Sequence, residues 1–349
     1  MTMSPSNAQI TDDRSKRKKR IWNIVKFLVT ISLLYYVFYK YVNINDFLTA
    51  FRNIRPGLFF VLLVILFTCR YLLAYQTSYY FKKIFDVDLG VNFVFKVQMI
   101  STFFAFVLPG ELAGGIVSWY MLSDKSGKKI DSASVIIFLR LLSIMTMVAF
   151  TAIGLLFEDK LKSLGLQSYI LMLAVLSLLM FIPFVSSRVA AAMRHFSQGI
   201  IQVIPFKKWR DNLVRLNENI WKSVIRCTSV APSLVLYVLS MSVLWYLLVI
   251  LFFYLLMIMA DINLPFQVSI WLIGIITILQ YLPVSFAGLG VRELGIVYML
   301  KEFYQVRPES SMILCTLFLA FSLIIVVMGG MAVWLKPSDH SVKNSPVGK

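Results

Sequence analysis

Charged side chains are scarce in this chain of 349 residues: Asp, Glu, Lys and Arg make up 15% of it. Hydrophobic residues make up 59%, and the mean hydropathy is +0.79. Such a chain cannot cover a water-exposed surface with polar groups. The longest polar stretch, Ser187 to Val230, is itself interspersed with apolar residues and leaves little room for a soluble catalytic domain. The composition predicts an all-α polytopic integral membrane protein that is not an enzyme.

Residues that commonly hold metals or cofactors are also few. Cys69, Cys227 and Cys315 are far apart, and neither histidine, His195 or His340, has a partner nearby in sequence. This spacing offers no disulfide framework and no zinc site. The glycines form no Gly-x-Gly-x-x-Gly pattern between a strand and a helix, and no Lys-Ser or Lys-Thr follows them. We therefore predict no metal, no cofactor and no ATP-driven step within this chain.

Positive charge is abundant, with a formal net charge of +17. In a soluble protein this excess would suggest nucleic acid as a partner. Here the basic residues gather between apolar segments, as they do in the cytoplasmic loops of membrane proteins. The apolar segments are Ile21 to Tyr41, Leu58 to Gln76, Phe93 to Leu108, Ser132 to Phe157, Ser168 to Ser186, Ala231 to Ala260, Leu264 to Leu282, Phe286 to Tyr304 and Met312 to Leu335.

Two of these segments end at helix-breaking residues. The segment from Phe93 stops at Pro109 and Gly110, and only a short, weakly apolar piece follows. The segment from Leu264 is followed by Pro283, Gly288 and Gly290 and then by a short helix. Broken helices inside a membrane are tolerated where they line a protein-enclosed cavity. We predict about six full spans plus two re-entrant helical hairpins.

The basic residues test this arrangement. With both hairpins returning to the side they entered, 22 basic residues lie on the cytoplasmic side and seven outside. This bias places both termini in the cytoplasm. The organisation is then a basic cytoplasmic tail (1–20), a single transmembrane domain (21–336) and a second cytoplasmic tail (337–349). The apolar run after Arg20 is longer than that of a cleaved signal, so it is predicted to be an anchor.

The two hairpins have similar sequences. Gly115-Ile116-Val117 and Tyr120-Met121-Leu122 in the first correspond to Gly295-Ile296-Val297 and Tyr298-Met299-Leu300 in the second. The spacing from proline to tyrosine differs, so a chance similarity of apolar strings is the alternative. An inverted repeat explains both the similarity and the entry from opposite faces, and such breaks point to the midplane site of a transporter.

Residues Pro283 to Glu293 resemble the Pro-(Ile/Val)-Ser-x-x-Gly-Leu-Gly-x-Arg-Glu signature of the flippase-like membrane domain of bacterial lysylphosphatidylglycerol synthases and their stand-alone relatives. Ala133-Ser134-Val135 followed by Arg140 resembles the family's helix with an arginine after small residues. The resemblance covers nearly the whole chain. It implies lipid translocation rather than lipid aminoacylation, because the soluble aminoacyl-transferase domain of the two-part synthases is not in this sequence.

The sequence departs from the family pattern at three positions. Relatives often carry an aspartate and an arginine after the first proline and a glutamate before the helix arginine. The matching positions here hold Gly115, Ser118 and Leu139. Any role of those polar groups in orienting a headgroup does not transfer to this chain.

Four charged residues are candidates for a headgroup-binding cavity. Arg292 can bind an anionic lipid phosphate through the several N–H donors of its guanidinium. Glu293 can bind a second basic group or hold a proton. Because neighbours on a helix face different directions, each is expected to have a different partner. The alternative is a structural ion network. Glu111 either contributes to the cavity or caps a short helix. Arg140 lies in the cavity or extends to the cytoplasmic interface.

The polar segment 187–230 contains apolar residues at steps of three and four between Phe206 and Arg226, with basic residues between them. This pattern predicts an amphipathic helix on the cytoplasmic leaflet. It either attracts anionic lipid toward the cavity or simply connects two spans.

Together these features predict a protein of the bacterial or archaeal cytoplasmic membrane that flips an anionic phospholipid or a polyprenyl-linked lipid between leaflets. The alternative is a membrane scaffold that regulates a glycosyltransferase or lipid-modifying enzyme partner. An intramembrane transferase is less well supported, because no carboxylate cluster or histidine base stands at a loop edge.

Overall fold

The computed structural model describes residues 55–107, 112–158, 186–202, 207–228, 232–281 and 290–334, with six isolated positions between 168 and 182. Over these ranges the chain forms helices and no strand, which confirms the all-α prediction. The helices are α1 (Pro56–Phe85), α2 (Val91–Val107), α3 (Leu112–Ser126), α4 (Lys129–Leu156), α5 (Ser187–Gln202), α6 (Lys207–Thr228), α7 (Pro232–Met259), α8 (Phe266–Tyr281), α9 (Val291–Tyr304) and α10 (Pro308–Trp334).

Four of the described helices are long and apolar enough to cross a bilayer: α1, α4, α7 and α10. Helices α2 and α8 are apolar but shorter. The protein is therefore a polytopic membrane protein, as predicted. The predicted spans at 21–41 and 168–186 fall outside the described residues or touch them only at isolated positions. The depth of the two hairpins stays a prediction.

The contacts between helices follow the same pattern in two quartets, α1–α4 and α7–α10. Helix α1 packs on α2 as α7 packs on α8, and α3 packs on α4 as α9 packs on α10. The two quartets also contact each other: α2 packs on α10, α8 packs on α4, and α1 packs on α7. This is the pattern that two related halves produce around a pseudo-twofold axis, and it supports the predicted repeat.

Glycines allow the close crossings between the quartets. A Cβ added to Gly329 of α10 would clash with the carbonyl oxygen of Met99 on α2. At the contact between α4 and α8, a Cβ added to Gly154 of α4 would lie 3.0 Å from the backbone nitrogen of Trp271. Lipid supplies no hydrophobic drive between helices, so close packing at small residues holds them together. In both contacts between the quartets, a glycine allows the two helices to pack closely.

Helix α1 extends beyond the predicted segment, which ended at Gln76. The Gln76 side chain is buried and donates to the Val238 carbonyl at 2.8 Å and to the Ser242 hydroxyl at 2.7 Å, both on α7. Because these acceptors satisfy the polar amide inside the protein, the helix continues to Phe85. Arg70 is thus the fifteenth of 30 residues. The sequence places Arg70 about six residues before the cytoplasmic end of its apolar segment, which favours extension of its side chain to the interface. The helix continues fifteen residues beyond Arg70, and the extension to the interface stays a prediction.

The polar segment contains two helices. Helix α6 confirms the predicted helix between Phe206 and Arg226, whereas α5 was not predicted. The two pack on each other, and α6 also packs on α4. Trp221 of α6 donates to the Ser197 hydroxyl of α5 at 3.0 Å. The position of α6 on the cytoplasmic leaflet stays a prediction.

Candidate functional site

A cavity of about 260 Å³ lies between the two quartets, and Arg140 is on its wall. It receives side chains from α1, α2 and α4 of the first quartet and from α7 and α8 of the second. We name it the Arg140 cavity. Its lining consists of Leu73, Gln76, Thr77, Gln98, Leu139, Arg140, Ser143, Ile144, Met147, Trp245, Tyr246, Val249 and Thr277.

The lining mixes apolar side chains with several polar groups. Gln98 is notable because its Oε1 is buried with no hydrogen-bond partner among the described residues. A buried polar atom normally finds a partner, and this amide oxygen can accept a hydrogen bond from a ligand's O–H or N–H group but not from an anionic oxygen. The Arg140 guanidinium and the side-chain NH2 of Gln98 can donate to an anion, whereas the Thr277 hydroxyl already donates to the Ile273 carbonyl at 2.7 Å. The structure therefore places Arg140 in a cavity, one of the two readings of the sequence.

Gly115 of α3 lies beside this arginine. A Cβ at position 115 would be 3.5 Å from Nη1 of Arg140. The family resemblance implies a polar side chain near this position in relatives, so the glycine here leaves space next to the guanidinium. The next departure, Ser118, is used within the hairpin, where its hydroxyl is 2.7 Å from that of Ser101.

A second cavity, of about 180 Å³, adjoins the first and is lined by Arg70. Three residues belong to both linings and form the wall between them: Leu73 of α1 with Trp245 and Val249 of α7. We name the second one the Arg70 cavity. Its remaining lining is Leu66, Cys69, Phe252, Phe318, Phe321, Ser322 and Ile325.

The two cavities occupy corresponding places in the two halves. Both cavities are lined by α1 and α7, and α10 lines the second cavity as α4 lines the first. Helices α2 and α8 contribute side chains to the first cavity and not to the second. Ser143 and Ser322 are each the fifteenth residue of their helices, α4 and α10. Each donates its hydroxyl hydrogen to the carbonyl four residues earlier. The repeat thus extends to the cavities themselves.

Arg292 and Glu293 pair with each other. Both are 4% exposed, and Nε of Arg292 donates to Oε1 of Glu293 at 2.9 Å. Oε2 of Glu293 accepts from the backbone N–H of Gly290 at 2.6 Å. The expectation of a different partner for each residue is wrong. The pair lies in the first turn of α9, where the glutamate turns back to cap the helix and the long arginine side chain can follow it.

This pair lines neither of the two cavities. It supports one of them, because Cζ of Arg292 lies 4.8 Å from the centre of the Phe318 ring, which is part of the Arg70 cavity wall. The Glu293 carboxylate also occupies the N-terminus of α9, the end of a helix that favours an anion. The geometry therefore favours the structural reading of Arg292 and Glu293.

The other candidates are only partly covered by the structure. Glu111, Pro109, Gly110, Pro283 and Gly288 lie outside the described residues. Gly290 is described and has a φ of 85°, a backbone conformation that favours glycine, directly before α9. Its part in a hairpin break stays a prediction.

Sequence reasoning missed the roles of Arg70, Gln76 and Gln98. All three are polar residues inside apolar helices, and the rule that such residues face a bundle interior or a cavity was a sufficient signal.

The fold and the cavities define a helical membrane protein with basic cavities enclosed between two similar halves. The chain belongs to the family described as lysylphosphatidylglycerol synthase TM region, whose model matches residues 23–330. Membership makes it a membrane protein that handles lipid headgroups. Comparisons with curated proteins and with solved structures found no significant match.

Proposed function

We propose that the protein moves a lipid with an anionic headgroup between the leaflets of the cytoplasmic membrane. The observation that carries this proposal is the Arg140 cavity, a largely apolar space with an arginine on its wall that lies between membrane-spanning helices of both halves. An anionic phospholipid or a polyprenyl-linked lipid fits this chemistry. The headgroup enters the cavity while the apolar chains stay in the bilayer.

The physical requirement is to replace the water around a phosphate. Moving an ion into an apolar environment costs many kcal/mol unless it is paired and hydrogen-bonded. Arg140 offers several donors in a rigid fork that matches phosphate oxygens, and the side-chain NH2 of Gln98 adds a neutral donor. The proposal needs no bond to be made or broken, so it assigns no enzymatic step to this chain.

The test is reconstitution into proteoliposomes with leaflet-specific reporters for phosphatidylglycerol and for a polyprenyl phosphate. Wild type is compared with Arg140→Gln, Arg140→Lys and the control Lys83→Gln, which removes an exposed charge at the end of α1. We expect Arg140→Gln to lower the transfer rate about tenfold or more, Arg140→Lys to lower it less, and the control to match wild type. No protein-dependent transfer of either lipid by wild type would reject translocation.

A second candidate is a scaffold that regulates a lipid-modifying enzyme. The observation in its favour is that Arg292 and Glu293 neutralise each other inside the fold. A scaffold requires neither cavity, so filling the Arg140 cavity with Ser143→Phe would leave its partner binding intact. Translocation predicts that the same substitution blocks transfer.

A further inference from the structure

Two buried polar atoms belong to residues that line the Arg140 cavity and have no hydrogen-bond partner in the described part of the chain. One is Oε1 of Gln98 on α2, and the other is the phenolic oxygen of Tyr246 on α7. The two residues come from opposite halves of the protein and face the same space. Leaving a buried polar atom unpaired is unfavourable, so two of them at one cavity point to a group that enters it.

The Tyr246 hydroxyl is held in place without being satisfied. The Thr151 hydroxyl is close to it, but it donates its hydrogen to the Met147 carbonyl at 2.7 Å and makes no well-aligned hydrogen bond with the phenol. The Tyr246 side chain is 2% exposed, and its ring centre lies 5.4 Å from that of Phe150. The packing fixes the ring and leaves its hydroxyl for a ligand.

The polar neighbours of Gln98 on the cavity wall have already used their donors. The hydroxyls of Thr77, Ser143 and Thr277 each donate to the carbonyl four residues earlier on their own helix. The amide of Gln76 donates to two acceptors on α7. The wall therefore supplies no hydrogen to the Gln98 oxygen, and a ligand must bring one.

The two unpaired atoms require different partners. An amide oxygen only accepts a hydrogen bond, whereas a phenol can donate its hydrogen. A hydroxyl group gives a hydrogen to the first and accepts one from the second at the same time. An ionised phosphate oxygen has no hydrogen for Gln98, and an ammonium group has no lone pair for Tyr246. The wall thus matches an alcohol.

We infer that Gln98 and Tyr246 select a headgroup that carries a hydroxyl, which donates to the Gln98 oxygen and accepts from the Tyr246 phenol while Arg140 binds the phosphate. This inference rests on the proposed function and deepens it by naming the substrate class, a lipid phosphate ester of a polyol. The terminal amide torsion of glutamine is soft, so Oε1 turns toward the ligand without movement of α2. An anionic lipid without a hydroxyl satisfies Arg140 and leaves both wall atoms unpaired.

The test compares two short-chain lipids of equal charge that differ in the hydroxyls of the headgroup: dihexanoyl phosphatidylglycerol and dihexanoyl phosphatidylpropanol. Equilibrium binding of each to the full chain is measured by titration calorimetry in neutral detergent. The variants are Gln98→Met and Tyr246→Phe, which keep the shape of the side chain. The control is Asn92→Leu, which removes an exposed amide from the same helix as Gln98. Each variant removes an unpaired buried atom or an exposed one, so thermal unfolding should show all three to be as stable as wild type.

We expect wild type to bind dihexanoyl phosphatidylglycerol about tenfold more tightly than dihexanoyl phosphatidylpropanol, because two hydrogen bonds to buried groups are gained. Gln98→Met and Tyr246→Phe should each weaken binding of phosphatidylglycerol and leave that of phosphatidylpropanol unchanged, so the preference falls to about threefold. Asn92→Leu should keep the wild-type preference. Equal binding of the two lipids by wild type, or the full preference in either cavity variant, would refute the selection of a hydroxyl.

A soluble ligand separates a lipid from a free headgroup. Glycerol 3-phosphate carries the phosphate and the hydroxyls without acyl chains, and we expect it to bind much more weakly than dihexanoyl phosphatidylglycerol. Equal binding of the two would overturn the assignment to a lipid.

The result is also distinguishable from that of the transfer assay. A wild type that prefers phosphatidylglycerol through Gln98 and Tyr246 but transfers neither lipid refutes the proposed function alone. A wild type that transfers phosphatidylglycerol but binds both lipids equally refutes only the selection of a hydroxyl.

Discussion

Arg70 and Arg292 are both arginines in apolar surroundings, yet their neighbours give them opposite energetic roles. Arg292 is fully buried against a carboxylate and an aromatic ring. Arg70 faces a cavity and has one long hydrogen bond. Removing Arg292 leaves the buried Glu293 carboxylate without its partner. Removing Arg70 eliminates a charge that the protein without a ligand stabilises poorly.

Arg292→Ala is expected to destabilise the folded protein by about 3–5 kcal/mol, because Glu293 would stay buried and uncompensated. Arg292→Lys should cost less, since it keeps the charge but loses the fork. The measurement is denaturant or thermal unfolding in detergent. The double variant Arg292→Met with Glu293→Gln is the control and should recover part of the loss. Wild-type stability in Arg292→Ala would show that the pair is not structural.

Arg70→Gln is expected to be as stable as wild type or more stable, in contrast to Arg292→Ala. A charged residue at the centre of a transmembrane helix costs about 3 kcal/mol on insertion scales, and glutamine lowers that cost. The midpoint of thermal unfolding without added lipid measures this. A midpoint several degrees below wild type would mean that Arg70 has a structural partner.

The residues of the site could be predicted only in part. Arg140, Arg292 and Glu293 are conspicuous as charges in apolar sequence, but the pairing of Arg292 with Glu293 depends on how α9 begins. Neighbours on a helix point apart in its middle, whereas a glutamate in the first turn folds back toward the cap. Sequence spacing alone does not give that rotamer.

At the level of helices, the contacts of α2 with α10 and of α8 with α4 depend on glycine. Each contact brings a backbone of one half against a backbone of the other, and a methyl group has no room at the closest points. Apolar periodicity predicted these helices correctly as elements. It could not predict α5, whose sequence is amphipathic rather than apolar, nor the true end of α1.

Gly329→Ala is expected to destabilise the fold by about 1–3 kcal/mol, because the new methyl group meets the Met99 carbonyl and backbone cannot move cheaply. Gly199→Ala on α5 is the matched control: nothing lies within 4 Å of its Cβ, so alanine should be neutral or stabilising by up to about 1 kcal/mol. Unfolding in detergent compares the two. Equal effects would mean that the α2–α10 contact is looser than described.

For the whole molecule, the orientation in the membrane is predicted by the basic bias of 22 to seven. Both termini should be cytoplasmic. A reporter that functions only in the cytoplasm should be active when it is fused after Lys349. A reporter that functions only outside the cell should be active when it is fused in the loop between α7 and α8. Activity of the terminal fusion solely outside would reject the topology and the hairpin assignment with it.

The same orientation assigns the two cavities to opposite sides. Helix α1 then runs from the exterior to the cytoplasm, and the residues that line only the Arg70 cavity, such as Leu66, precede those that line only the Arg140 cavity, such as Thr77. Along α7, which runs the other way, the order is reversed: Tyr246 lines the Arg140 cavity and Phe252 the Arg70 cavity. The predicted orientation thus makes the Arg70 cavity the outer one, which is a prediction.

Cysteines at the equivalent positions 143 and 322 test this assignment. In a background with Cys69, Cys227 and Cys315 replaced by serine, Ser143→Cys should react with a membrane-impermeant thiol reagent added from the cytoplasmic side, and Ser322→Cys from the exterior. Dihexanoyl phosphatidylglycerol should slow the reaction of Ser143→Cys, because the proposed function places its headgroup in the Arg140 cavity. A cysteine at Gly199, exposed on α5, controls for reagent access. Reaction of both cavity cysteines from one face would contradict the division into an inner and an outer cavity, since two halves related by an axis in the membrane plane must open on opposite sides.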